Sequence, residues 1–135
     1  MKNKYINPTR SKFTILGQVC NLIPEHLVPR LARECGVDSR TFSPWSHVVS
    51  LLDAQLSHSI GLNDVCDSLQ LHSGSLSAIR GATPPSRNGL SNANRQRPCE
   101  MAEKLFWSVT NSLGQQSPDF IRGKPRDQIV LIAIG

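Results

Sequence analysis

The sequence predicts an all-α protein of about five helices, with a helix-turn-helix-like basic region and a stray strand-like segment near its C-terminal end. Apolar residues recur at spacings of three and four over most of the chain, which is the period of an amphipathic helix. Residues that favour helix ends, mainly Ser, Pro and Gly, separate these stretches. We divide the chain into a basic flexible arm at 1–12, one helical domain at 13–114, and a linker with the strand-like segment at 115–135.

The first predicted helix begins near Lys12, with Ser11 as its N-cap and Pro24 after its end. Its apolar positions are Phe13, Leu16, Val19, Cys20 and Ile23. A second helix follows and ends at Gly36, because glycine commonly takes the position just after the last helical turn. Its apolar positions are Leu27, Val28, Leu31 and Cys35.

The third predicted helix has the clearest start in the sequence. Ser43 is a favourable N-cap, and Pro44 suits the first helical position because an N–H there has no intrahelical partner. The helix is expected to run to about His58 or Ser59 and to be closed by Gly61. Its predicted buried face is apolar and consists of Trp45, Val48, Val49, Leu52, Leu56 and Ile60.

Shorter elements are predicted next. Asn63 is the expected N-cap of a fourth helix that ends near Leu71, with Val65, Cys66 and Leu69 facing inward. Then come one helical turn at Leu76 and Ile79, a region interrupted by Pro and Gly, and a short helix near Gly89 to Asn94 with Ser86 and Asn88 available as caps.

The last predicted helix begins after Pro98 and is closed by Gly114. Its apolar positions are Met101, Ala102, Leu105, Phe106, Val109 and Leu113. Residues 117–127 are rich in polar residues, Pro and Gly, which indicates a linker. The apolar, partly β-branched run from Ile129 to Ile134 is typical of a buried strand.

The composition favours a protein with an anionic partner. Lys and Arg number 15 against 10 Asp and Glu, a net charge of +5 that suits nucleic acid. No stretch of the sequence approaches the roughly 18 apolar residues of a membrane span, so we expect no membrane association and a cytoplasmic location. The 4 cysteines and 4 histidines lack the spacings of zinc sites, which predicts no metal, no cofactor and buried free thiols.

The sequence shows no catalytic motif. It lacks a nucleophile elbow, a phosphate-cradling glycine loop and a cluster of metal ligands. Two-metal nucleic-acid chemistry needs several converging carboxylates, and after Glu103 only Asp119 and Asp127 remain. We therefore expect a protein that is not an enzyme.

The functional signal lies in the region from Arg80 to Arg97, because no acid occurs between Asp67 and Glu100. Guanidinium and carboxamide groups form paired hydrogen bonds with phosphates and base edges. The predicted order of a short helix, a glycine-containing turn and a polar second helix resembles a helix-turn-helix. The candidate DNA-binding residues include Arg80, Arg87, Arg95 and Arg97 for phosphates and Asn88, Asn92 and Asn94 for base edges. Ser86 is a further candidate. On composition alone, a solvated polar loop is the competing interpretation.

Five stretches, in their order and spacing, point to a known family. They are Thr41–His47, Ala54–Leu56, Gly61–Val65, Leu76 with Ile79–Gly81, and Ser86–Pro98, and the resemblance that they carry covers roughly Phe13 to Asn111. Together they resemble the N-terminal domain of bacterial DDE transposases of the insertion-sequence-four family. The most recognisable piece is a Leu-x-x-Ala-Asn-x-x-Arg pattern, here Leu90, Ala93, Asn94 and Arg97. Gly89 departs from the family, which usually has Ser or Thr there, and is expected to weaken the local helix by ~1 kcal/mol.

The resemblance implies a helical domain that helps to bind the terminal inverted repeats of the element and precedes an RNase H-like catalytic core. It implies that Ile129–Ile134 begins that core and that this chain, without the acidic catalytic residues, is a non-catalytic fragment. Two alternatives stay open. One is an interaction module that packs on the transposase core or dimerises through Trp45, Phe106 and Trp107, as a possible inhibitor; the other is a nonfunctional transposase relic.

Overall fold

The computed structural model describes residues 12–37, 41–59 and 61–116. These residues form seven α-helices and no strand, which confirms the all-α prediction. In chain order the helices are α1 (Lys12–Cys20), α2 (Leu27–Glu34), α3 (Pro44–Ser57), α4 (Leu62–Leu71), α5 (Ser73–Ser77), α6 (Arg87–Gln96) and α7 (Cys99–Gln116). The predicted basic arm before Lys12, the linker from Ser117 onward and the strand-like Ile129–Ile134 lie outside the described residues.

The chain divides into two compact units, Met1–Pro98 and Cys99–Gly135. In the first, α3 is the central helix, because α1, α2 and α4 all contact it, and α4 in turn contacts α5 and α6. Apolar side chains from all of these elements except α2 form one core cluster. Its members are Leu16, Cys20, Phe42, Val49, Val65, Cys66, Leu69, Leu76, Ile79, Ala82, Leu90 and Ala93.

Gly36 ends α2 as the sequence predicts. Its φ of 70° is in the left-handed region, which glycine adopts without a Cβ penalty. The N–H of Val37 donates to the carbonyl of Ala32 at 2.8 Å, and the N–H of Gly36 donates to that of Arg33 at 3.2 Å. This pair of bonds is the Schellman motif, and it satisfies carbonyls that the end of the helix leaves unpaired.

The start of α3 also agrees with the prediction, whereas its end does not. Ser43 Oγ accepts a hydrogen bond from the N–H of Ser46 at 3.0 Å, and Pro44 is the first helical residue. The helix ends at Ser57 because His58 turns into the left-handed region, a conformation that histidine takes more readily than most non-glycine residues. Gly61 is instead the N-cap residue of α4.

Two helix boundaries predicted from single residues were wrong. Asn63, the expected N-cap of the fourth helix, lies inside α4, whose first residue is Leu62. Gly114, expected to close the last helix, lies inside α7, so positions 115 and 116 are helical and not linker. A glycine costs a helix only ~1 kcal/mol, and α7 continues past it. Within the second unit, the rings of Phe106 and Trp107 form an edge-to-face pair at 4.9 Å.

The buried face of α3 is more polar than the periodicity predicts. Its buried residues are Ser46, Val49, Ser50 and Asp53, whereas the predicted core residue Leu56 is 39% exposed. Ser50 Oγ donates to the carbonyl of Ser46 at 2.8 Å. Such bonds within a helix allow small hydroxyl side chains to be buried, which a search for apolar periodicity misses.

The connection between α5 and α6 is an ordered loop over residues 78–86, longer than the three or four residues of a helix-turn-helix turn. The first turn of α3 holds it. Trp45 Nε1 donates to the carbonyl of Ile79 at 2.9 Å, and the N–H of Thr83 donates to Ser46 Oγ at 3.0 Å. Pro85 is fully buried, and its carbonyl accepts from Gln70 Nε2 at 3.4 Å. The position of α6 is therefore fixed by α3 and α4.

Candidate nucleic-acid interface

The helix α6 carries five of the eight candidate DNA-binding residues, and Ser86, one of the two caps that the sequence offers, is its N-cap. Ser86 Oγ accepts from the N–H of Gly89 at 2.9 Å. A Cβ at position 89 would lie 2.9 Å from Ser86 Oγ, so the glycine leaves room for the cap. The helix extends to Gln96, beyond the predicted Gly89 to Asn94.

One face of α6 docks on the rest of the first unit. The residues of the Leu-x-x-Ala-Asn-x-x-Arg pattern form this face. Positions i, i+3, i+4 and i+7 share a helix face because successive residues are ~100° apart. Leu90 is 1% and Ala93 is 6% exposed, and both belong to the core cluster. The side chains of Asn94 and Arg97 hydrogen-bond to α3 and to the residue Phe42 that precedes it. The pattern therefore fixes the helix in place.

Asn94 anchors the middle of α6 to α3. Its Oδ1 lies 2.6 Å from Nε2 of His47. An amide oxygen only accepts, so Nε2 of His47 donates this hydrogen bond. Burial lowers the pKa of His47; the bond to Asn94 acts in the opposite direction, and the nearby Arg97 charge lowers the pKa further. Burial and the Arg97 charge therefore favour a neutral imidazole in the folded protein, and the bond to Asn94 only partly offsets them.

Arg97 anchors the C-terminal end of α6. Its Nη2 donates to the carbonyl of Phe42, and its guanidinium lies 5.5 Å from the centroid of the Phe42 ring. Burial lowers the pKa of Arg97. Its other terminal nitrogen, Nη1, is buried and has no hydrogen-bond partner among the described residues.

The opposite face of α6 points away from the core. Its exposed residues Asn88, Asn92 and Arg95 are at positions i, i+4 and i+7 and so form one stripe. Arg95 Nη2 donates to Asn92 Oδ1 within this stripe. The helix contains no Asp or Glu, so the stripe combines a cation with carboxamide donors and acceptors. We call these three residues the outward stripe.

Arg87 lies at the border between α6 and α4. Its Nη2 is 3.2 Å from Oδ1 and 3.3 Å from Oδ2 of Asp67. Both side chains are about 60% exposed, so this ion pair contributes little stability. The nearby carboxylate nevertheless neutralises part of the positive charge that Arg87 would offer to a phosphate.

Arg80 is separated from the other candidates and is engaged inside the fold. It lies in the loop before α6 in the left-handed conformation, with φ 51°. Its guanidinium donates to the carbonyls of Cys20, at 3.0 Å, and Ile23, and lies 4.8 Å from the centroid of the Trp45 ring. It thus satisfies carbonyls at and just after the end of α1.

Sequence reasoning missed several residues that build this region. His47, Ser46, Trp45 and Phe42 hold α6 and the loop before it, and Asp67 pairs with Arg87. All except Asp67 lie in the Thr41–His47 stretch that carries part of the family resemblance. Their position in that stretch was the one sign in the sequence that they matter. Their bonding partners lie 34 to 55 positions away, and contacts at that separation leave no periodic pattern in a sequence.

The thiols and histidines form no metal site within the part of the chain that the structure describes. There, no three residues among His, Cys, Asp and Glu cluster as ligands. All four cysteines are free, and burial raises the pKa of Cys20 to about 11, against a smaller opposing effect of Arg80. Cys20 and Cys66 are buried as predicted, but Cys35 is only half-buried and Cys99, the first residue of α7, is exposed. Among residues 12–37, 41–59 and 61–116, no helix is long and apolar enough to cross a membrane.

Comparison with known proteins identifies one domain family. Residues 11–79, just over half of the chain, match the family described as Domain of unknown function (DUF4372). No curated protein and no solved structure matches the chain. The matched residues include α1 to α5 but end before Arg80, so all eight candidate DNA-binding residues lie beyond the match.

Proposed function

We propose that this chain, which belongs to the family of the domain of unknown function DUF4372, binds DNA as the N-terminal domain of an insertion-sequence transposase. The DNA partner in this proposal is the terminal inverted repeat of the element. The chain has no catalytic activity of its own in this proposal, because its sequence lacks a set of converging carboxylates or another catalytic motif. The transposase assignment rests on the resemblance of five stretches of the sequence.

The observation that carries the DNA-binding proposal is the division of α6 into two faces. Leu90, Ala93, Asn94 and Arg97 hold the helix, which leaves the outward stripe of Asn88, Asn92 and Arg95 free of any docking task. A rigidly held helix positions its contact residues more accurately than a loop does. This arrangement favours a DNA contact over the solvated polar loop that composition alone allows.

The outward stripe has the length and chemistry for a groove of DNA. From Asn88 to Arg95 the helix rises about 10 Å, which is roughly three base-pair steps. Asparagine reads adenine through paired hydrogen bonds in the major groove, and arginine holds phosphates or guanine. We therefore assign base edges to Asn88 and Asn92 and phosphates to Arg95 and Arg87.

The other four candidates have a different role in the proposal. Arg80 and Arg97 donate to backbone carbonyls, Asn94 accepts from His47, and Ser86 caps α6. We propose that these residues position the outward stripe and that they do not contact DNA.

A salt-dependent binding titration tests the proposal. The whole chain is titrated with a duplex carrying the terminal inverted repeat of its element and with a scrambled duplex of equal length. We expect tighter binding to the repeat, surviving near physiological salt, and a loss of affinity in Arg95→Ala. The matched control is Arg33→Ala, which removes the same charge from an exposed position on α2.

Other outcomes would contradict the proposal. Equal, weak binding to both duplexes that vanishes with salt would show only that the chain is basic. An equal loss in Arg33→Ala and Arg95→Ala would remove the outward stripe from the interface. Binding to neither duplex, with a mass that rises with protein concentration, would favour the interaction module.

A further inference from the structure

Asn88 and Gly89 form the one asparagine–glycine pair in the sequence, and the asparagine lies on the outward stripe. An asparagine before glycine is prone to deamidation, because glycine has no Cβ to keep its backbone nitrogen away from the asparagine side chain. The side chain of Asn88 is exposed, so water reaches it. This pair therefore has both the sequence and the exposure for a spontaneous change of charge.

Deamidation at this pair exchanges the amide of Asn88 for an acid. The backbone nitrogen of Gly89 loses its proton and attacks Cγ of Asn88, a five-membered imide forms, and the side-chain nitrogen leaves as ammonia. Water then opens the imide and leaves either an aspartate or its β-linked isomer at position 88. Water is the co-reactant, and no oxidation or reduction takes place.

The position of the pair in α6 leaves the attacking nitrogen weakly held. Gly89 is the third residue of α6, and the first N–H groups of a helix have no intrahelical carbonyl to bond with. The N–H of Gly89 instead donates to Ser86 Oγ at 2.9 Å. The next N–H, that of Leu90, donates to the carbonyl of Ser86 at 2.9 Å and begins the helical ladder. Attack on Asn88 requires this first turn to open, and Ser86 is the side chain that opposes the opening.

A carboxylate at position 88 would change the charge of the outward stripe without unfolding α6. Arg95 carries the one charge of the stripe, and the new carboxylate would cancel it. Asp67 already lies 3.2 Å from Arg87, so a phosphate near the start of α6 would then face two acids. The positive end of the helix dipole favours an acid in the first turn, so the aspartate form should keep its fold.

We propose that Asn88 is a modification site: it deamidates spontaneously through Gly89, the Ser86 cap slows the reaction, and the product binds DNA weakly. The covalent change depends on the chain alone. Its consequence for affinity rests on the proposed DNA-binding function. An aged chain would then differ from a fresh one at the surface proposed to bind DNA.

Peptide mapping by mass spectrometry measures the reaction. The whole chain is incubated at neutral and at mildly alkaline pH, and the acid form is quantified at each asparagine. We expect Asn88 to convert several-fold faster than Asn111, and faster at the higher pH because the attacking nitrogen must lose its proton. Asn111 is the matched control within the same molecule: it is also exposed and precedes the small residue Ser112, but it lies inside α7. There the N–H of the following residue has an intrahelical partner.

Three variants test the role of the cap. Ser86→Ala removes the acceptor of the Gly89 N–H and should raise the rate at Asn88 several-fold while the rate at Asn111 stays the same. Ser86→Thr keeps a hydroxyl cap and should keep the slow rate. Asn88→Gln should show no conversion at position 88, because glutamine would have to close a six-membered ring, which is far slower.

Affinity for the inverted-repeat duplex, measured before and after incubation, tests the consequence. The aged parent chain should bind several-fold more weakly than the fresh chain, because a carboxylate on the stripe repels phosphates. Asn88→Gln should keep its own starting affinity through the same incubation. Asn88→Asp should bind as weakly as the aged chain without any incubation.

The outcomes separate this proposal from the proposed function. Conversion of Asn88 no faster than that of Asn111, or a rate that Ser86→Ala leaves unchanged, overturns the modification site. Conversion with unchanged duplex affinity overturns its effect on binding and removes Asn88 from the interface. A fresh chain that binds no duplex overturns the proposed function, while the mass measurement still decides the modification site.

Discussion

At the scale of single residues, the contacts of each guanidinium decide how much positive charge the surface around α6 offers to the proposed DNA partner. The guanidiniums of Arg80 and Arg97 donate to backbone carbonyls, and that of Arg87 pairs with Asp67. Arg95 bonds only to the neutral amide of Asn92 among the contacts described. A count of arginines therefore overstates the charge available for phosphates.

Asp67→Asn should strengthen DNA binding. It releases Arg87 from its ion pair, so we expect several-fold tighter binding and a salt slope steeper by up to about one unit. Stability should change by less than ~1 kcal/mol, because the pair is exposed. Affinity measured as a function of salt gives both quantities.

The double variant Asp67→Asn, Arg87→Ala provides the control for that prediction. If the released arginine causes the gain, the gain disappears when Arg87 is absent. A gain that persists in the Arg87→Ala background would mean that removing the negative charge is sufficient, and Arg87 would leave the proposed interface.

The pH dependence of stability should carry a contribution from His47. Because burial lowers its pKa in the folded protein, the unfolded chain binds the proton more readily. The contribution of neutral His47 to the free energy of unfolding is therefore complete above pH 6.5, the ordinary pKa of histidine. It is lost as the pH falls below that value. Urea unfolding at several pH values, for the parent chain and for His47→Gln, measures this loss. An identical pH dependence in both proteins would contradict it.

At the scale of elements, the two faces of α6 predict opposite behaviour for two arginines only two positions apart. Arg97→Ala should destabilise the fold by about 1–3 kcal/mol, because it removes the bond to the Phe42 carbonyl. Arg95→Ala should change stability by less than ~0.5 kcal/mol and lower the salt slope of DNA binding by about one. Unfolding and binding measured on both variants test the division. Similar effects on both quantities would show that the faces are not separate.

The loop over 78–86 fixes the orientation of α6 because the loop is hydrogen-bonded to α3. Ser46 Oγ accepts from the N–H of Thr83, and Trp45 donates to the carbonyl of Ile79. These bonds join the first turn of α3 to a loop that is 30 to 40 positions away in the sequence. They replace the tight turn of a helix-turn-helix as the device that orients the polar helix.

At the scale of the whole molecule, the hydrophobic core extends further along the chain than the family match does. The match ends at Ile79, but Ala82, Leu90 and Ala93 belong to the core cluster. Removing them uncovers the apolar face of α4, which α6 contacts. The core of the first unit therefore includes residues beyond the matched domain.

This difference predicts the behaviour of two shortened chains. A chain ending at Ile79 should lose cooperative thermal unfolding, because part of its core is missing. A chain ending at Pro98 keeps α1 to α6 and should unfold cooperatively. Circular dichroism melting curves of both chains provide the measurement. A cooperative transition in the shorter chain would show that α6 is dispensable for folding.

Much of the helical pattern was predictable because local signals are sufficient for it. The cap at Ser43, the proline at position 44 and the left-handed Gly36 each act within a few residues. The same reasoning failed at Asn63 and Gly114, where one local preference is too weak to set a boundary. It also missed the polar buried face of α3, because partners of buried polar groups are invisible in one sequence.

The sequence by itself determined the all-α class, the basic acid-free segment from Arg80 to Arg97 and the residues from which a DNA contact is proposed. Only the tertiary structure decided which of those residues point outward and which dock. Helical periodicity defines faces, but the face that is buried depends on where Phe42, His47 and Asp67 lie, and chain folding brings these partners together across 20 to 55 positions. Such long-range contacts have no local signature, and this is why the role of each arginine required the fold.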